Sequence, residues 1–189
     1  MKKETKWSID QLHSSIEFKV RHLMIAKVKG SFKVFDASIY TSGKDFTTVE
    51  IDLWIDVDSI STGDENRDGH LKSADFFDVE NHKQITFLAS TMISPNEDEN
   101  YDLWGDLSIN GISQNVKLNA EFGGIITDSW GNEKAGFSIS GVINRGDFGL
   151  IWNSAIEKGG FMVSDEVKIS CELELTNMTK QDSKMELEK

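Results

Sequence analysis

With Cys171 as its only cysteine, the chain of 189 residues has no internal disulfide, and a reducing compartment suits it. There is no run of about 18 apolar residues, so no membrane-spanning helix is expected. The start, MKKETKWSID, is basic but lacks an apolar core. No secretory signal is expected from it, and a cytoplasmic location is. Positive charge is also short, with 20 Lys and Arg against 32 Asp and Glu, for a net charge of −12. So acidic a surface repels phosphate backbones and anionic headgroups at long range. Nucleic acid is therefore excluded as a partner, and membrane contact is expected to be transient at most.

The usual signatures of chemistry are missing too. His13, His22, His70 and His82 are scattered without metal-ligand spacing. Asp56, Asp58, Asp64 and Asp68 do not follow the calcium-loop pattern, which ends in a bidentate Glu. No G-x-S-x-G elbow occurs, and Cys171 falls on the apolar phase of a strand, where a thiol is buried and inert. Gly123-Gly124 and Gly159-Gly160 do not open helices after strands, so neither is a phosphate loop. No metal, no cofactor and no catalytic residue is expected. The most enzyme-like stretch is Asn66-Arg67-Asp68-Gly69-His70. The favoured reading is structural: Arg67 and Asp68 hold a short helix against residues 144–150 or a neighbouring strand end through buried charge-assisted bonds.

What the chain does have is period-two alternation. Val49, Ile51, Leu53, Ile55 and Val57 fall on one face and Glu50, Asp52, Trp54 and Asp56 on the other. The same rhythm runs through 14–20, 101–109, 116–122, 135–143 and 167–175. Two less regular strands cover 30–40, where a phase shift between Val34 and Phe35 reads as a bulge, and 84–93, ending at Pro95. Asn110-Gly111 is a hairpin signal, and Ser42-Gly43-Lys44-Asp45 and Trp130-Gly131-Asn132 are turns. The reading is an all-β fold with eight antiparallel strands in one domain, 7–176, which closes into a barrel or splits into a sandwich. A short helix is expected near 63–73, opened by a Thr62/Glu65 capping box. Residues 21–29 read as an irregular, helix-like turn. The polar tail, 177–189, is expected to fray.

Eleven Phe and five Trp are many for a thin β shell. An eight-stranded barrel can be filled by its side chains or can hold one ligand, and periodicity does not choose between these. A family resemblance does. Trp7-Ser8-Ile9-Asp10, the run from His13-Ser14 through Ile16, Phe18, Val20 and His22, and Val28-x-Gly30-x-Phe32 come first. The most specific block is Arg67-Asp68-x-His70-Leu71-x-Ser73-x-Asp75-Phe76-Phe77-Asp78, followed by Ile85-Thr86-Phe87. Gly105-x-Leu107-x-Ile109-x-Gly111 and Asn144-Arg145-x-Asp147-Phe148-Gly149-Leu150-x-Trp152 complete the order. In these blocks the chain resembles the YceI-like polyisoprenoid-binding proteins. It departs from their pattern at His82-Lys83-Gln84, where a proline commonly precedes the strand.

The resemblance implies a lipocalin-like barrel, hollow, holding an isoprenoid, an isoprenoid quinone or a fatty amide. In such a barrel the apolar phase faces the ligand. That assigns Phe18, Val20, Phe35, Ile39, Ile51, Leu53, Ile55, Phe87, Leu103, Leu107, Leu118 and Phe137 to the bore. The apolar stretch 23–28, with Leu23 and Met24, and the pair Phe76-Phe77 are expected to gate one end. The expected function is a non-catalytic carrier of a long hydrophobic small molecule. The alternatives are a stress-related scavenger of hydrophobic compounds such as antibiotics, and an enzyme acting on an isoprenoid lipid. A homodimer is left open.

Overall fold

The computed structural model describes residues 4–93, 100–155, 160 and 162–179. Eleven strands form one antiparallel sheet that closes on itself. The first six are three broken staves. β1 (Glu4–Ile9) and β2 (Ser15–His22) are separated by a 3₁₀ turn, Gln11–His13. β3 (Ala26–Phe32) and β4 (Phe35–Ser42) are separated at Lys33-Val34, and β5 (Asp45–Asp56) and β6 (Ile60–Ser61) by a 3₁₀ turn, Val57–Ser59. The other five staves are β7 (Gln84–Ile93), β8 (Asn100–Ile109), β9 (Ile112–Thr127), β10 (Glu133–Asn144) and β11 (Val163–Asn177). β11 pairs with β10 along its length, and on its other edge with β2 and then β1. That edge closes an eight-stave barrel, the expected fold.

The breaks have local causes. At the first, Asp10 accepts from the Leu12 amide, its own N–H bonds Glu174, and the Ser14 hydroxyl accepts from the Glu174 amide. At the second, the Ser59 hydroxyl accepts from the amides of Lys33 (3.1 Å) and Val34 (3.0 Å). Each hydroxyl takes the place of a ladder partner for the amides it faces. The phase shift at Val34-Phe35 is therefore a strand break and not a bulge. Phe32 and Phe35 are both buried because the break, not an extra residue, resets the phase.

Helix α1 (Glu65–Lys72) follows β6 as expected, but its cap differs. Asp64 caps it, accepting from the Arg67 amide at 2.9 Å, while Thr62 is used elsewhere. Residues 21–29 form no helical turn. They are the tip and arms of the β2–β3 hairpin, with His22 paired to Ala26. Asn177, expected to begin a fraying tail, is the buried last residue of β11, and its amide donates to Glu133 at 2.9 Å. Pro95 and residues 180–189 lie outside the described residues.

Aromatic packing closes one end of the barrel. Trp7 is fully buried, its indole N–H donating to the Thr41 hydroxyl at 2.8 Å. Phe46 stands 5.1 Å from Trp7, 5.5 Å from Phe122 and 4.8 Å from Phe137. β1, which brings Trp7, was not recognised in the sequence because it is short and only Trp7 and Ile9 alternate.

Candidate ligand-binding cavity

Below the aromatic plug the bore is empty. The cavity measures about 540 Å³, within the roughly 300–1,000 Å³ of small-molecule sites. Its wall comes from every stave. Ile51, Leu53, Ile169 and Leu173 point inward yet are only half-buried, because they face the void and not packed atoms.

Three glycines keep it hollow. Gly30, Gly105 and Gly141 occupy inward positions on β3, β8 and β10. A Cβ on Gly30 would lie 2.2 Å from the Phe18 ring, one on Gly105 2.5 Å from Phe87, and one on Gly141 2.4 Å from Leu118. Each bulky side chain lies sideways across the gap on its neighbouring strand and so lines the bore without crossing it.

Of the sixteen residues assigned to the ligand, thirteen line this wall: Phe18, Val20, Ile39, Ile51, Leu53, Ile55, Phe76, Phe77, Phe87, Leu103, Leu107, Leu118 and Phe137. Phe35 does not; it opens β4 directly after the break and is buried in the core. Leu23 and Met24 do not either, since the hairpin carries them past the rim and Met24 is 59% exposed. Sequence reasoning missed the whole wall contributed by β11, including Val167, Ile169, Cys171 and Leu173, although the same alternation marks them. Cys171 is no nucleophile there, because burial pushes its thiol up to about 12.

The other end is polar. Thr62, Asn66, Arg67, His70 and Arg145 reach the cavity beside Trp152. The His70 ring stands edge-on to Phe76 (5.1 Å) and Trp152 (4.7 Å), and its Nε2 lies 2.9 Å from Asp75. Arg67 and Asp68 clamp the helix to the end of β6, as one of the expected arrangements had it. Arg67 donates to the Thr62 hydroxyl (2.7 Å) and carbonyl (2.9 Å), and Asp68 accepts from the Thr62 amide (2.8 Å). Neither is buried, however, and residues 144–150 are not their partners. Those residues are held by Arg145, which the sequence reading did not single out. Its guanidinium is buried and donates to the carbonyls of Leu150, Trp152 (2.8 Å) and Ser164 (2.9 Å), with Asp165 at 3.3 Å. Burial lowers its pKa, and Asp165 opposes that.

Comparison with known proteins places this barrel in a family. The YceI-like domain model matches residues 7–175. The chain belongs to the YceI-like family. A UPF0312 protein of Staphylococcus epidermidis is 38% identical over 173 residues, covering 91% of this chain and 98% of that one. A Campylobacter jejuni YceI protein is 31% identical, with TM-score 0.68 over 82% of this chain and 88% of its own. Burkholderia cenocepacia BcnA shares the fold at TM-score 0.74 and 23% identity, covering 88% and 98% of the two chains. A polyisoprenoid binding domain from Saccharophagus degradans shares it at TM-score 0.66 and 17% identity, over 90% and 98%. Among the described residues of this YceI-like chain, no helix is long and apolar enough to cross a membrane.

Proposed function

We propose that this YceI-like protein is a non-catalytic carrier that holds one long hydrophobic chain in its bore with a polar head at the mouth. The observation that carries the reading is the shape and chemistry of the cavity: about 540 Å³, walled largely by apolar side chains, with the aromatic plug at one end and most of its polar side chains at the other. Burial of a five-carbon isoprene unit stabilises a complex by about 4 kcal/mol, at about 0.8 per carbon. A few units therefore exceed the association costs without any ionic anchor. The polyisoprenoid binding domain of Saccharophagus degradans makes an isoprenoid, an isoprenoid quinone or a similar amphiphile the ligand class to test first.

Mass spectrometry of the lipid extracted from the purified protein tests the reading. A single class of long-chain amphiphile is expected from wild type. Leu53 lines the bore, so Leu53→Trp should leave the fold intact and the extract empty. Equal loading of the two proteins would move the ligand elsewhere. Among the described residues, the His70–Asp75 pair on the cavity rim is the arrangement that favours an enzyme acting on the lipid. Recovery of the same unaltered lipid from wild type and His70→Asn would dismiss that reading.

A further inference from the structure

The β2–β3 hairpin flanks the cavity mouth and is built unlike the rest of the molecule. Val20, His22 and Val28 line the cavity, so the alternate residues Lys19, Arg21, Lys27 and Lys29 face outward. Residues 18–30 contain no acid, in a chain of net charge −12. Lys19 lies directly opposite Lys29, and Arg21 opposite Lys27. On the other side of β2, Lys19 also faces Lys168 of β11. Like charges set directly opposite one another destabilise a sheet. Among the described residues none of these five cations is in an ion pair.

The tip breaks local rules twice. His22 accepts from the Ile25 amide across a tight turn whose central residues, Leu23 and Met24, have φ of 50° and 63°. Such turns take Asn-Gly, and bulky side chains there are strained. The tip is also apolar and in water: Met24 is 59% and its neighbour Ile25 88% exposed. The Leu23 amide bonds the Met162 carbonyl at 2.8 Å, which fastens the tip beside the segment carrying the cavity-lining Trp152 and the exposed Ile151.

A row of cations with no ion pair among the described residues, ending in an exposed apolar tip, complements an anionic bilayer: the charges meet the headgroups and the tip enters the acyl boundary. We propose that the β2–β3 hairpin docks this protein on an anionic phospholipid surface, with the cavity mouth turned toward the bilayer. The docking site stands on the hairpin alone; only its use, passing a ligand between bilayer and bore, rests on the carrier reading. The local patch also overcomes the long-range repulsion expected of an acidic chain, and it restricts contact to one orientation.

The test is flotation with vesicles of phosphatidylcholine, with and without phosphatidylglycerol. Wild type should float only with the anionic vesicles, and less as salt rises. Replacing Arg21, Lys27 and Lys29 by Gln should weaken binding about fivefold per charge removed. The combined change Leu23→Asn, Met24→Gly, Ile25→Thr supplies the residues the turn prefers, so its Tm should equal or exceed that of wild type. Its vesicle binding should fall by at least about tenfold, from the lost apolar burial. The Leu53→Trp variant should float as wild type does, so an empty bore leaves this test standing. A wild-type protein that stays soluble would overturn the proposal. So would a tip variant that floats unchanged, or one whose only change, by light scattering, is loss of a dimer.

Discussion

Arg145 and Asp10 each hold distant segments together, and they act through different physics. Arg145 supplies one buried cation to three backbone carbonyls, at Leu150, Trp152 and Ser164. Arg145→Ala leaves those carbonyls unsatisfied and should cost about 3–5 kcal/mol, read as a lower midpoint in urea. Arg145→Lys should recover little of it, since one ammonium does not reach a fan of acceptors. Asp10 receives the Lys134 ammonium at 2.7 Å, which also meets Glu174 at 3.0 Å. His13 stands 3.2 Å from Asp10, so the group resembles a metal site, but the ammonium already sits among its oxygens. The Lys134 contact holds Asp10 down at about 2. A carboxyl depressed in the folded state contributes stability above its unfolded value near 3.8 and loses it as pH falls toward about 2. Wild type should therefore lose Tm across that window, and Asp10→Asn should lose distinctly less. Neither role is written in the residues alone, because the partners are distant carbonyls or lie across three strands.

At the scale of elements, alternation located every long strand and most of the inward phase, because one side chain per two residues must leave water. It marked the shift at Val34-Phe35 and a strand from Ser14, but not the hydroxyls of Ser14 and Ser59 that stabilise these breaks against neighbouring strands. It also misplaced Leu23 and Met24, whose apolar character resembles core but whose turn geometry carries them outward. The question that alternation left open, filled or hollow, had a signal in the glycines. Glycine inside a strand marks a place where a neighbour approaches closely, and Gly30, Gly105 and Gly141 all fall on the inward phase. A methyl group on Gly141 would meet only the flexible end of Leu118. Gly141→Ala should cost less than about 1.5 kcal/mol, yet it should turn Leu118 into the bore and reduce lipid loading. Gly105→Ala should cost more, because the Leu88 carbonyl, 2.7 Å from the added carbon, belongs to backbone. A change in loading for Gly105→Ala alone would show that the Leu118 side chain does not border the ligand.

At the scale of the whole molecule, closure and emptiness oppose each other. The ladder from β1 through β11 leaves the barrel without a free edge along β1, β4, β5 and β7 to β11, so the shell is stable as a ring. The void inside forfeits the contacts that a filled core would make. A ligand occupying that void binds the folded state alone and adds stability of RT ln(1 + [L]/Kd), about 2.7 kcal/mol at a free concentration one hundred times Kd. Delipidated protein should therefore melt below the protein as purified, and restoring the extracted lipid should return the difference. The gain should be insensitive to salt, because the bore that surrounds the chain is carbon and not charge. Leu53→Trp partly fills the same space with the protein's own side chain. Without lipid it should melt at or above the delipidated wild type, and adding lipid should leave its Tm unchanged. A wild type whose Tm ignores delipidation, beside a Leu53→Trp variant that still responds to lipid, would place the stabilising contact outside the barrel.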